Sequence, residues 1–200
     1  QGLEARERAR RGSRSGLRPG DFAGRRSGFS GRVPEVGKHR LEGGPAGFTC
    51  RNNQLADMAC MDDGFMQAVQ AARTFYGAGR IAVVLGTSTS GILSAEEAYR
   101  AVDPISGYPP EGFDQARTQD LFSLPRFMAA RLGLEGPLLS VSIACASSSR
   151  TFVDARHWLE AGLCDAVSAG GADSLCQMTL RGFASLGLVS PEPTRPCDAG

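Results

Sequence analysis

The sequence predicts an α/β layered fold with a largely parallel sheet. Three short apolar runs, at Arg80–Gly86, Leu138–Ala144 and Asp165–Gly171, have the length and composition of strands that are covered on both faces. Segments with helical periodicity separate these runs, and such alternation favours parallel strands joined by helices. The 200 residues, 42% of them hydrophobic, suffice for one ordinary core or for a large piece of a bigger one.

Basic residues are concentrated at the beginning of the chain. Eleven of the 22 Lys and Arg residues lie in the first 40 positions, although the net charge is only +1. Such a run could bind nucleic acid or a membrane surface. It has no interleaved aromatics and no amphipathic period, which favours a solvated, glycine-diluted lead-in. We expect an Arg-rich irregular leader at 1–14, and mostly irregular structure up to about Gly47.

No targeting or membrane-spanning segment is recognised. The opening is charged and lacks the apolar core of a secretion signal, and no segment approaches the roughly 20 apolar residues that a membrane span requires. The six cysteines form no Cys-x-x-Cys pair, so neither a zinc site nor a disulfide framework is indicated. These features predict a cytoplasmic protein with reduced thiols, no membrane span and no nucleic-acid partner.

The middle of the chain predicts two helices around the first strand. Asp62 or Asp63 can cap a helix that ends at Gly77. Its apolar stripe comprises Phe65, Val69, Ala72 and Tyr76. After the strand, the segment Gly86–Gly91 forms a loop. Ser94 and Glu97 fit a capping box for the next short helix, and Pro and Gly then indicate a loop over 102–114.

Two further helices flank the second strand. Ser123 is the expected N-cap of a helix that has Pro125 in its first turn and ends before Gly133. Its residues Leu124, Met128, Arg131 and Leu132 include the apolar stripe. The second helix covers 147–161. We expect Phe152, Ala155 and Leu159 to face inward, and Arg150, Asp154 and His157 to face outward.

Cys145 is the candidate catalytic residue. It follows an apolar run and precedes a predicted helix, between the small residues Ala144 and Ala146, which leave room for a substrate. At a helix N-terminus, unpaired backbone N–H groups and the helix dipole favour thiolate over thiol, and a thiolate is a nucleophile. The other cysteines are interpreted as structural: Cys164 and Cys176 beside regular elements, and Cys50, Cys60 and Cys197 in irregular or exposed-looking segments.

No second catalytic group accompanies this cysteine. A cysteine of the protease type needs a histidine within hydrogen-bond reach. His157 lies about 18 Å along the same predicted helix, and His39 is expected to be a surface histidine in the irregular leader. The loop at Gly86–Gly91 lacks the Lys of a phosphate loop, and the segment at 61–64 lacks the ligand pattern of a calcium loop. We therefore expect no cofactor and no metal site.

Several ordered segments resemble the β-ketoacyl-acyl-carrier-protein synthases, from about Ser15 onward. The segment around Cys145, Ser142-Ile-Ala-Cys-Ala-Ser-Ser-Ser149, carries the main similarity. The other similar segments are Ser15–Pro19, Arg51–Leu55, Val84–Gly91, Ala161–Ala166, Gly170–Ser174 and Arg195–Gly200. Two positions depart from the family pattern: Ile143 stands where Thr is common, and Ala146 where Ser is common.

The resemblance implies a thiolase-like fold, with Cys145 as the nucleophile that accepts an acyl group from acyl carrier protein. In the family, malonyl-carrier protein then loses carbon dioxide, and its carbanion attacks the thioester. The Cys145 N–H would form part of the oxyanion hole. Residues 15–200 would be an N-terminal half, truncated at its C-terminus. Because the family's two histidines and lysine lie beyond it, we expect this chain alone not to complete condensation.

The resemblance further implies a homodimer in the complete enzyme and a role in fatty acid biosynthesis. A polyketide-type ketosynthase, or another acyl transferase of the thiolase superfamily, is an alternative, since the residues that select the acyl chain are not identified. A non-catalytic ketosynthase-like partner subunit is another alternative, against which the retained Cys145 argues. A cysteine hydrolase is disfavoured because no base is present.

Overall fold

A three-stranded parallel sheet with helices on both sides forms the centre of the molecule. The computed structural model describes residues 33–61 and 64–190. The strands are β1 (Ile81–Gly86), β2 (Leu138–Val141) and β3 (Ala166–Gly171). The helices are α1 (Arg51–Cys60), α2 (Phe65–Tyr76), α3 (Ile92–Arg100), α4 (Gln115–Thr118), α5 (Ser123–Leu132), α6 (Ser147–Glu160) and α7 (Gln177–Ser185). Short 3₁₀ turns cover Pro34–Gly37, Ala78–Arg80 and Ala144–Ala146.

The sheet order is β2-β1-β3, and both pairings are parallel. Val83 lies opposite Leu138 on one side of β1 and opposite Ser168 on the other. Parallel neighbours require crossover connections, which the intervening helices supply. The predicted α/β fold with a parallel sheet is confirmed, because all three predicted strands are present.

The central strand β1 is buried throughout its length. Because side chains alternate along a strand, Ile81, Val83 and Leu85 share one face. This face joins a cluster with the α5 residues Phe127 and Leu132, among others. Helix α6 contacts β1 and β3 and covers the opposite face. The core thus lies between the sheet and α5, while α6 forms the second layer.

Helix α6 packs with a different face from the predicted one. Ser147, Thr151 and Ala155 are buried, whereas Phe152 and Leu159 are 62% and 43% exposed. The expectation is confirmed for Ala155, Arg150 and His157, whereas the Asp154 side chain is only 16% exposed. The expectation for Phe152 and Leu159 is wrong. The physical reason is the short distance between helix and sheet. Small side chains on α6 let the helix approach the end of β3 at Gly171, where a Cβ would overlap the Ser148 side chain, and the larger apolar side chains remain on the opposite face of α6.

Several element boundaries differ from the predictions. Strand β2 ends at Val141, three residues before the expected end. Ser123 is the first residue of α5 rather than its N-cap, and its hydroxyl donates to the Arg117 carbonyl. Ser94 lies inside α3, whose N-cap is Gly91, so no capping box forms. Gly64 occupies the N-cap of α2, and Asp62 and Asp63 lie outside the described residues.

Other local predictions are confirmed. Helix α2 ends at Gly77, helix α5 ends at Gly133 in the left-handed region, and 102–114 contains no helix or strand. Residues 38–47 are irregular, as expected. The leader at 1–14 and the similar segments Ser15–Pro19 and Arg195–Gly200 lie outside the described residues. Among the described helices, none combines the length and apolar character needed to traverse a bilayer.

Candidate active site

Cys145 lies in a tight elbow between the end of β2 and the beginning of α6. The elbow comprises Ser142–Ala146, and its last three residues form a 3₁₀ turn. All five elbow residues, including Cys145, are exposed. The sequence placed the strand end at the cysteine itself. The structure instead inserts Ser142, Ile143 and Ala144, which redirect the chain before α6 starts.

The elbow contains a backbone conformation that L-amino acids rarely adopt. Ala144 has φ +53°, and among the described non-glycine residues only Ser90 also has a positive φ, at +41°. Each such residue costs about 1–2 kcal/mol unless its surroundings compensate. Ser90 lies in the loop after β1, which contacts the elbow. Both strained residues therefore belong to one region.

Two serine hydroxyls form hydrogen bonds to the backbone of the elbow. The buried Ser147 Oγ donates to the Ala144 carbonyl at 2.7 Å and accepts from the Ile143 N–H at 3.0 Å. Ser88 Oγ also donates to the Ala144 carbonyl, at 2.9 Å, and lies 3.1 Å from Ser147 Oγ. The carbonyl of the strained residue thus has two hydroxyl partners. The position of Cys145 follows from the conformation of the residue before it.

The loop that carries Ser88 is tied to the carboxyl end of β3 through Asp173. Asp173 Oδ1 accepts from the backbone N–H groups of Ser88 and Thr89 at 2.7 and 3.0 Å. It also accepts from the Thr87 and Thr89 hydroxyls at 3.2 and 2.9 Å. Hydrogen bonds to a carboxylate are stronger than those to a neutral acceptor. One oxygen therefore fixes three consecutive residues of the loop, defined here as Thr87–Gly91.

Glycines let α6 begin directly against the sheet. A Cβ at Gly86 would lie 2.6 Å from the Ser147 carbonyl carbon, and a Cβ at Gly171 would lie 2.6 Å from the Gly86 carbonyl oxygen. Real side chains essentially never make such contacts. The absence of side chains at these two strand ends is what brings the first turn of α6, and the elbow before it, close to β1 and β3.

The other described cysteines are in different surroundings from Cys145. Cys50, Cys164 and Cys176 are buried, and Cys60 is partly buried in α1. Burial raises the pKa of Cys50 and Cys164. Burial, together with the nearby Asp57 charge, raises the pKa of Cys60 to about 11. Low solvation disfavours the thiolate of Cys50, Cys60 and Cys164, so these three thiols suit structural roles.

The prediction of an irregular or exposed segment is wrong for Cys60, which is the last residue of α1 and partly buried. Cys50 lies in an irregular position before α1, as predicted, but it is buried. Cys50 is the N-cap of α1, and its Sγ faces the Thr118 carbonyl. The structural interpretation agrees with the burial of Cys50, Cys164 and Cys176. Cys197 lies outside the described residues.

The two histidines are not placed with Cys145 in any described contact. His157 lies near the end of α6 and is exposed, as expected from its spacing. His39 differs from the expectation of a surface histidine. It is half-buried, and its Nε2 lies 2.8 Å from Oδ2 of the buried Asp57. The described residues contain no cluster of three or more His, Cys, Asp or Glu side chains that could hold a metal ion.

Sequence reasoning missed the residues that support the elbow, namely Ser88, Ser147 and Asp173. A signal was available. Polar residues follow the carboxyl end of each strand, at 87–90 after β1, at 142–149 after β2 and at 173–174 after β3. In a parallel sheet these ends meet at one edge, where ligands bind in open α/β folds. The three runs therefore converge on the edge that carries Cys145.

Comparisons with known proteins agree with this architecture. The family model of the β-ketoacyl synthase N-terminal domain matches residues 51–200. Nodulation protein E of Rhizobium meliloti (strain 1021) is 27% identical over 122 residues, which cover 60% of this chain and 30% of that protein. Nodulation protein E of Rhizobium leguminosarum bv. trifolii is 28% identical over 131 residues, which cover 61% of this chain and 30% of that protein.

Solved structures share the fold. A ketosynthase in complex with its chain length factor from Xenorhabdus doucetiae matches with a TM-score of 0.72 and 32% identity, over 88% of this chain and 43% of that one. A β-ketoacyl synthase from Burkholderia phymatum STM815 matches with a TM-score of 0.71 and 20% identity, over 98% of this chain and 50% of that one.

The chain thus spans about 30% of the length of the nodulation proteins and half or less of these two structures. The expected thiolase-like fold is confirmed, because the structural neighbours are ketosynthases. With three quarters of its residues matched by the family model, the chain belongs to the β-ketoacyl synthase family and contains that family's N-terminal domain.

Proposed function

We propose that the protein containing this chain is a ketosynthase-type acyltransferase in which Cys145 accepts the acyl group. The observation that carries the proposal is an exposed cysteine on a strained elbow at the carboxyl edge of a parallel sheet. The family membership supports it, because the residues that the family model matches, 51–200, include position 145.

The proposed half-reaction is a thioester exchange. The Cys145 thiolate attacks the carbonyl carbon of an acyl thioester carried by the phosphopantetheine of acyl carrier protein. The new bond between Cys145 Sγ and the carbonyl carbon forms as the bond to the pantetheine sulfur breaks. The pantetheine thiol leaves with the proton given up by Cys145. Backbone N–H groups at the elbow, including that of Cys145, would stabilise the oxyanion in between.

The second half-reaction, decarboxylative condensation with a malonyl thioester, is proposed for the complete protein. This step needs groups that polarise the malonyl carboxylate and the thioester. His39 is not proposed for that task, because its imidazole is paired with Asp57. Residues 15–200 would contribute the domain that carries the nucleophile. Condensation is assigned to the whole protein because this chain covers only 30% of the nodulation protein and 43% of the Xenorhabdus doucetiae ketosynthase.

The pathway and partner are proposed from the relatives. One structural neighbour is a ketosynthase in complex with its chain length factor, and a second is the ishigamide ketosynthase/chain length factor. These favour a specialised or polyketide-type ketosynthase that works with acyl carrier protein and a ketosynthase-like partner subunit. A role in fatty acid biosynthesis with a homodimer is the alternative. The competing function is that of a non-catalytic ketosynthase-like partner subunit, in which Cys145 is not acylated.

Acylation of the native protein by an octanoyl N-acetylcysteamine thioester tests the proposal, with the modified peptide located by mass spectrometry. We expect one octanoyl group on Cys145 in the wild-type protein and none in Cys145→Ala. Cys60→Ala is the matched control, because this partly buried thiol has a pKa of about 11 and remains protonated at pH 7.5. That variant should acylate at the wild-type rate.

Two outcomes contradict the acyltransferase. The first is a wild-type protein that remains unacylated, with and without its ketosynthase-like partner subunit. This result would favour the non-catalytic partner role. The second is acylation that persists in Cys145→Ala, which would move the nucleophile to another residue.

A further inference from the structure

We propose that Asp173 is a positioning residue for Cys145, acting through the loop Thr87–Gly91 and the hydroxyl of Ser88. The inference rests on the proposed function, because the orientation of the Cys145 side chain matters only if Cys145 accepts the acyl group. The expected role is to fix the elbow before substrate binds, so that the sulfur and the nearby backbone donors keep one arrangement.

The first step of the argument is the concentration of hydrogen bonds on one oxygen. Asp173 Oδ1 accepts four donors from three consecutive residues, two of them backbone N–H groups. A side chain at 173 without an acceptor oxygen, such as that of alanine, would leave these donors without their common acceptor. The loop contains Ser90 in a strained conformation, so it needs such external restraint to keep its shape.

The second step is the support of the loop from its buried side. The fully buried Thr87 hydroxyl donates to Asp173 and accepts from the Asn52 side chain at 3.3 Å and from the Ser90 N–H at 2.8 Å. A hydroxyl has one proton to donate and two lone pairs to accept, so all its capacity is used. The Asp173 carboxylate is thereby connected to α1 as well as to β3.

The third step is the link from the loop to the elbow. Asp173 holds the Ser88 N–H at 2.7 Å, and the Ser88 hydroxyl holds the carbonyl of Ala144 at 2.9 Å. Ala144 is the strained residue directly before the cysteine. Two hydrogen bonds through one serine thus connect the carboxylate with the conformation that orients Cys145. Asp173 does not contact the sulfur in the described geometry, so its role is positioning rather than catalysis.

The test compares two reactions of the same sulfur in the native protein. Acylation by octanoyl N-acetylcysteamine requires the sulfur and the oxyanion donors to be aligned, whereas alkylation by iodoacetamide requires only an accessible thiol. We expect Asp173→Ala and Ser88→Ala each to lower the ratio of the acylation rate to the alkylation rate roughly 10- to 100-fold. Asp173→Asn, which keeps an acceptor oxygen, should recover part of the loss.

A double variant separates positioning from general destabilisation. If both residues act through one connection, Asp173→Ala combined with Ser88→Ala should lose about as much as the more affected single variant, rather than the product of the two losses. The matched control is Asp165→Ala, at the opposite end of β3, where the carboxylate pairs with Arg80. Its acylation-to-alkylation ratio should equal that of the wild-type protein.

The outcomes distinguish this inference from the proposed function. Wild-type protein that acylates at Cys145, together with single variants whose ratio is unchanged, would overturn the role of Asp173 alone. Acylation and alkylation rates that fall together, in proportion to the folded fraction measured by circular dichroism, would also overturn it. Wild-type protein that does not acylate would overturn the proposed function, and the positioning role with it. Should Asp173→Ala fail to fold, Ser88→Ala decides, because it leaves the contacts of the carboxylate with backbone N–H groups in place.

Discussion

At the scale of single residues, the site depends as much on missing side chains as on polar ones. Gly171 lies where β3 ends, and an added Cβ would overlap the Gly86 carbonyl oxygen and the Ser148 side chain. Its neighbour Gly170 differs, because a Cβ there would have no heavy atom within 4 Å. The two adjacent glycines therefore allow a test of close approach in which the strand context is the same.

We expect Gly171→Ala to lower the free energy of unfolding by about 1–3 kcal/mol, because the new methyl group must displace backbone or α6. Gly170→Ala should change it by no more than about 0.5 kcal/mol. Urea denaturation of both variants measures the difference. Equal effects of the two substitutions would show that the first turn of α6 can move away from the sheet at no cost.

At the scale of elements, a buried charge cluster joins three parts of the chain. Asp57 on α1 is 1% exposed, and its carboxylate lies 2.7 Å from Arg131 Nε on α5 and 2.8 Å from His39 Nε2. Gln54 on α1 donates to the His39 carbonyl at 2.7 Å. The irregular segment before α1 is therefore attached to the helices by directional contacts, which the sequence alone did not indicate.

Removing the carboxylate should destabilise the protein strongly. We expect Asp57→Ala to lower the free energy of unfolding by about 3–5 kcal/mol, because the largely buried Arg131 loses its counter-charge. Asp165→Ala is the control, since it breaks an ion pair with Arg80 on the surface, where solvent screens the interaction. The free energy of unfolding should fall much less in Asp165→Ala than in Asp57→Ala. Denaturant titrations that give the two variants the same stability would contradict the importance of burial.

At the scale of the whole molecule, large apolar side chains are exposed on α6 and in the region of α7. The outer face of α6 and the region of α7 expose large apolar side chains, among them Phe152, Leu159, Leu163, Met178, Phe183 and Leu186. Soluble monomers rarely leave apolar patches of this kind uncovered. The chain spans about half or less of the matched ketosynthases, so the rest of the protein or a partner subunit is the expected cover.

The 200-residue chain expressed alone should therefore self-associate. We expect its apparent mass in light scattering to rise with concentration, and we expect Phe152→Gln combined with Leu159→Gln to reduce this rise. Ile105→Gln is the control, because Ile105 is 95% exposed but lies in the irregular segment after α3. If the chain and its variants all stay monomeric at every concentration, the expectation that another part of the protein or a partner subunit covers these apolar side chains is contradicted.

The sequence by itself determined the strands, the parallel α/β arrangement, the position of Cys145 before a helix and the family. These depend on local apolar runs, on helix signals and on a contiguous motif, all of which are visible along the chain. Only the tertiary structure decided which face of α6 packs on the sheet, where β2 ends and how His39 is paired. The connection from Asp173 through Ser88 to Ala144 was also decided there, because its two hydrogen bonds join residues that are 85 and 56 positions apart and that meet only when the strand ends converge.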